Sequence, residues 1–187
     1  MTRSLPLAAL AILSIPAFAA DYAIDDDHTF ALFRVQHMGA GFTWGRFDAI
    51  AGELSYDPAN PASDRISLTI QAASISTGVV KMEDHLKSND FFDVKQFPTL
   101  GFVSKSFIKK AEGQYEVVGD LTIHGVTKAV TVQAVRTGLS THAFNKKALV
   151  GFETTFEINR NDFGLKYGPG VVGDNVRITL AVEAQAK

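Results

Sequence analysis

The chain has 187 residues, 46% of them hydrophobic, with 18 basic and 20 acidic side chains and no cysteine. A net charge of −2 gives no footing for nucleic acid or an anionic membrane surface as a partner. The absence of cysteine excludes a disulfide framework and a thiol nucleophile, and the length suits one domain with a sizeable core.

Residues 1–19 read as an export signal rather than as fold. Arg3 supplies a positive start, Leu5 to Phe18 an apolar stretch, and Ala17-Phe18-Ala19 a small-x-small cleavage site. That apolar run is shorter than the roughly 20 residues a bilayer crossing needs. Cleavage after Ala19 would leave residues 20–187 as a single exported domain.

Beyond the signal, period-two alternation dominates. Ala31, Phe33, Val35 and His37 share one strand face, and Phe47 to Tyr56 follows, with Gly45 and Gly52 marking bends. After the turn from Asp57 to Pro61 come Ile66, Leu68, Ile70 and Ala72. Val79 to Ser88 breaks the pattern and reads as one short helix or turn. Leu100, Phe102 and Ser104 resume it, and Tyr115, Val117, Gly119, Leu121 and Ile123 continue it beyond the Glu112-Gly113 turn. Val130, Val132 and Ala134, then Val150, Phe152, Thr154, Phe156 and Ile158, and finally Val176, Ile178, Leu180 and Val182 complete the set. Such alternation is what an antiparallel sheet with one dry and one wet face requires. From Phe30 onward this predicts about eight strands in an all-β domain. Pattern alone leaves a closed barrel and a sandwich open, and a barrel of this size is either filled by side chains or holds one small ligand.

Catalytic patterns are weak. No G-x-S-x-G elbow is present, and Asp25-Asp26-Asp27 reads as a solvated turn. The five histidines, His28, His37, His85, His124 and His142, form no compact ligand set by spacing, so no metal is expected. Most of them suit strand ends or turns. His37 is the exception, since its parity places it with Phe33 and Val35 on the dry face, where it needs a hydrogen-bond partner.

Two segments stand out. Asp90-Phe91-Phe92-Asp93 places two aromatics between acids in a connecting stretch, which suggests a lid whose rings cover a barrel end. Asn159-Arg160-Asn161-Asp162-Phe163-Gly164-Leu165 ends a strand whose Phe156 and Ile158 point inward. Arg160 can serve there in an ion pair with Asp162 and strand-end carbonyls, or can meet a ligand head group.

The wording His85-Leu86-Lys87-Ser88-x-Asp90-Phe91-Phe92-Asp93, Phe97-Pro98 and Gly119-Asp120-Leu121-Thr122-x-x-Gly125-Val126-Thr127-Lys128 resembles the YceI-like family. So do the opening Asp27-His28 with Phe33-x-Val35-x-His37 and the later Asn159-Arg160-x-Asp162-Phe163-Gly164-Leu165; Ala129 departs from the family's frequent Pro. The resemblance implies an extended, lipocalin-like, eight-stranded antiparallel β-barrel of the periplasm. It implies an apolar lumen holding an isoprenoid quinone, polyprenyl phosphate or fatty-acyl lipid, and it carries over no catalytic residue and no covalent cofactor. Parity assigns Phe33, Val35, Leu68, Phe102 and Leu121 to that lumen, together with Val132, Phe152, Phe156 and Ile178. Phe91 and Phe92 would cover it, and His37 and Arg160 would supply polar contacts. The expected partner is a hydrophobic small molecule with a long tail; transient membrane contact and a homodimer stay open. An enzyme acting on such a lipid and a ligand-free barrel in stress protection are the alternatives.

Overall fold

The computed structural model describes residues 20–187; the export signal expected over residues 1–19 lies outside them. Eleven strands form one antiparallel sheet. They are β1 (Ala20–Ile24), β2 (Phe30–His37), β3 (Gly41–Phe47), β4 (Ile50–Tyr56), β5 (Arg65–Gln71) and β6 (Ile75–Ser76). A short helix α1 (Val80–Lys87) precedes β7 (Thr99–Ala111), β8 (Gln114–Ile123), β9 (Val126–Thr141), β10 (Ala148–Asn159) and β11 (Val172–Ala186).

These strands make eight staves. β1 and β2 are two halves of one stave, β3 and β4 of the next, and β5 and β6 of the third, as their shared pairings show. Each later strand pairs with its successor. β11 then closes the ring, pairing with β2 over Val172–Ala181 and with β1 through Ile24↔Ala184. The result is a closed, up-and-down, eight-stranded barrel, in which no long strand is left as an open edge.

Alternation reads directly into burial on β8, where Tyr115, Val117, Gly119, Leu121 and Ile123 are all buried. On β7 the parity of the buried face changes along the strand. A bulge between Ser104 and Ser106 shifts the register, so Leu100 and Ser104 are buried before it and Phe107 after it. The bulge's buried hydroxyl is used, since the Ile66 N–H donates to Ser104 Oγ at 2.8 Å.

The core falls into two clusters along the barrel. One, at the base, contains Tyr22, Leu54, Tyr56, Phe107, Tyr115 and Phe152. Its aromatic rings meet edge to face, Tyr56 on Phe152 at 5.3 Å and Tyr115 on Phe152 at 5.8 Å, geometry that adds to simple area burial. The Tyr56 and Tyr115 hydroxyls lie 2.9 Å apart, and Arg136 Nη1 donates to the Tyr56 hydroxyl at 2.6 Å. Burial, helped by the Tyr115 hydrogen bond, pushes Tyr56 up to about 12 against the pull of Arg136. Tyr56 is therefore neutral at ordinary pH, and its hydroxyl is tied to Tyr115 and to the Arg136 cation at the edge of the floor.

Beside this floor, in the turn between β4 and β5, Asp64 is 1% exposed. One carboxylate oxygen accepts from the Asp57 N–H at 2.7 Å, while the other is buried without a partner. Burial pushes its pKa up to about 7.

Candidate lipid-binding site

Above the base, the barrel encloses a cavity of about 170 Å³. For comparison, an apolar cavity of about 150 Å³ in a protein core stays dry and takes up benzene. Its wall is carbon: Phe33, Val35, Leu68, Phe102, Leu121, Val132, Phe156 and Ile178 all border it, as parity predicts. Thr154 and Arg160 are the wall's polar side chains, and both are satisfied within the protein. The Thr154 hydroxyl donates to the Gln133 carbonyl at 2.7 Å.

The open end is crossed by the segment from Thr77 to Pro98, which carries α1. Leu86, Phe91 and Phe92 face the cavity from it. The segment is held at three places. Phe92 meets Phe47 of β3 edge to face at 5.6 Å. Phe91 and His85 pack on Tyr167 of the β10–β11 connection at 5.1 and 5.0 Å. Phe97 stacks on His124, in the two-residue turn between β8 and β9, at 4.4 Å. At its start, the Glu83 carboxylate accepts from the Thr77 and Gly78 N–H groups at 2.7 and 2.9 Å. These hydrogen bonds hold its pKa below the usual carboxylate range.

Arg160 is placed differently from the head-group expectation. It is 3% exposed. Its guanidinium donates to the carbonyls of Gly173 at 2.9 Å, Tyr167 at 2.8 Å and Val172 at 3.0 Å, and also to that of Leu165. Asp174, at 3.5 Å, is its carboxylate neighbour, so the expected Arg160–Asp162 pair is corrected. A guanidinium has five N–H donors, and all are engaged. Arg160 closes the β10–β11 connection onto the barrel rim, and it has no donor free for a ligand.

His37 requires a second correction. It is exposed and borders no part of the cavity. It is the last residue of β2, next to the tight turn at Met38 and Gly39, and although its partner across the ladder, Val172, borders the cavity, His37 itself is exposed. Phe152 is inward, but it sits in the floor and borders a smaller pocket of about 50 Å³ instead of the main cavity.

Spacing also concealed a grouping outside the barrel. Asp25, His28 and Glu183 bring ligand-type atoms within 4.8 Å of one another at the bend between β1 and β2. Asp25 and His28 hydrogen-bond at 3.0 Å, which lowers the pKa of the acid and raises that of the imidazole. Phe47, Leu86 and Leu165 also border the cavity and were absent from the expected lining. The glycines expected to bend strands have a second role: a Cβ at Gly45 would lie 2.3 Å from the Phe33 ring, so glycine makes the space that a lumen ring fills.

Residues 22–184 match the model of the YceI-like domain. The chain belongs to the YceI-like family. Among relatives, Protein YceI of Escherichia coli O157:H7 is 35% identical over 181 residues, covering 96% of this chain and 94% of that one. A UPF0312 protein of Pseudomonas putida is 37% identical over 169 residues, covering 89% and 87%. Burkholderia cenocepacia BcnA superposes with a TM-score of 0.78 at 25% identity, over 86% of this YceI-like chain and 98% of that one. A domain from Saccharophagus degradans, described as polyisoprenoid binding and implicated in plant cell wall breakdown, shares the fold at a TM-score of 0.70 and 16% identity. That match covers 89% of this chain and 98% of the domain.

Proposed function

We propose that the protein is a periplasmic carrier that holds a long-chain isoprenoid or acyl lipid by its tail inside the barrel. The observation that carries this reading is the apolar cavity beneath Leu86, Phe91 and Phe92, whose wall offers no unsatisfied polar side chain. The family membership and the polyisoprenoid binding stated for the Saccharophagus domain support it. Burial of apolar carbon contributes about 0.8 kcal/mol per methylene. One isoprene unit thus gains about 4 kcal/mol, which only matches association and ordering costs of about 4 kcal/mol or more, so holding a lipid requires the tail to bury more than one unit along the barrel. Recognition by a tail alone is loose, because one methylene changes affinity by only about 1–3 kcal/mol. With Thr154 and Arg160 both engaged by backbone carbonyls, the wall holds a ligand without presenting it a proton donor, which favours carriage over catalysis.

The test is to purify the full chain from a fractionated native host, extract it with organic solvent and identify the lipid by mass spectrometry. A recurrent long-chain lipid, near one per protein and recovered from the periplasmic fraction, is expected. An empty extract from a protein that also takes up no added isoprenoid would overturn the reading, and turnover of the bound lipid would replace it with an enzyme.

A further inference from the structure

We infer that Phe102 divides the lumen into two subsites, and that the small chamber beneath it sets the length of tail the protein accepts. This inference rests on the carrier reading and deepens it. The main cavity of about 170 Å³ and the lower one of about 50 Å³ share Leu68, Phe102, Val132, Thr154 and Leu180 as walls. Phe107, Val117, Ala134 and Phe152 border the lower chamber alone. A tail entering from the lid end therefore reaches the Phe102 ring before it reaches the lower chamber.

The ring lies over Gly119 of β8, where the missing side chain leaves room for it. A Cβ at Gly119 would lie 2.4 Å from Phe102 Cζ, so the phenyl group occupies the place a side chain would take on the neighbouring stave. Beneath the lower chamber the way is blocked. Phe152 is braced by Tyr56 and Tyr115, whose hydroxyls are tied to each other and to Arg136. The lower chamber, at about 50 Å³, is a third of the size that admits a benzene ring. It takes the end of a chain but not a further isoprene unit. Removing the phenyl group frees a volume comparable to benzene, which is room for one such unit.

The test uses delipidated full-length protein and a ladder of free isoprenols that lengthen by one isoprene unit, with occupancies read by native mass spectrometry. In the wild type, occupancy should peak at one length. Phe102→Ala should move the peak up by one unit and raise occupancy of the longer alcohol over the shorter by about tenfold. Adding Ala134→Leu to Phe102→Ala should refill the chamber and restore the original peak. An unchanged length profile in Phe102→Ala that still melts cooperatively would overturn the inference. If that variant does not fold, Phe102→Leu takes its place, and an unshifted peak there is equally contrary. A wild type that binds the isoprenols but shows no length preference would overturn the chamber's role while leaving the carrier intact. A wild type that retains no lipid of any length would overturn both.

Discussion

Replacing Arg160 with alanine should destabilise the protein without discriminating between ligands. The residue is 3% exposed, and its donors reach the carbonyls of Leu165, Tyr167, Val172 and Gly173. The Asp174 carboxylate is 61% exposed, so that contact contributes little. The effect instead comes from the carbonyls left without a donor. A hydrogen bond to a charged group contributes about 1.5–3 kcal/mol, and breaking a buried charged network costs about 3–5 kcal/mol. For a chain of this size each kilocalorie lowers the melting temperature by about 2–4 °C, so a loss of about 10 °C is expected. Arg160→Lys, with three donors, should recover part of it. Calorimetric melting gives the stability, and titration with a polyprenyl phosphate and with the matching bare hydrocarbon gives the binding. Equal losses for both ligands, after correction for the unfolded fraction, are expected. Melting within about 2 °C of wild type, with a selective loss of the phosphate-bearing ligand, would refute the reasoning.

Three further outcomes follow from the same geometry. Replacing Phe91 and Phe92 together with alanine removes the contacts to Tyr167 and Phe47; lipid transfer to acceptor vesicles, followed by stopped flow, should speed up by about tenfold or more while the fold persists, and an unchanged rate would end the lid's role. Asp64, lifted by burial from 3.8 to about 7, keeps its proton in the folded state over a range where the unfolded chain has released it. Stability from this group is therefore complete below about pH 4 and lost as pH rises through about 7, by about 4 kcal/mol at most; urea midpoints from pH 4 to 8 should show a shallower fall for Asp64→Asn than for wild type. Gly45→Ala forces a Cβ to 2.3 Å from the Phe33 ring and should cost about 1–3 kcal/mol, recoverable in part by Phe33→Leu in a double-mutant cycle.

Residue parity made most of the barrel legible, because each inward face is a separate, local statement of the sequence. On β8 the alternation runs unbroken for ten residues, and the tight turns on either side leave little freedom in register. Parity says which way a side chain points but not how far along the axis it lies. That is why His37 is exposed at the end of β2 and Phe152 fell to the floor, although Phe33 and Phe156 reached the cavity. β1 escaped notice because five residues followed by an acidic run carry too short a pattern, and its strand identity comes from pairing with β4 and β11. The partners of Arg160 lie five to fourteen residues downstream, in the β10–β11 connection and the first residues of β11, whose path only tertiary packing fixes. The bulge at Ser104–Ser106 was hidden for the same reason, since the inward residue simply changes from even to odd.

The central claim is that a lipid tail lies inside the barrel, and its position can be seen directly. Delipidated protein loaded with a long-chain isoprenol brominated at its far end, then crystallised, would give an anomalous peak that marks the tail. The account predicts that peak inside the lumen, close to Phe102 and below the covering rings of Phe91 and Phe92. A peak on the outer surface, or an ordered barrel with no peak within its walls, would contradict it.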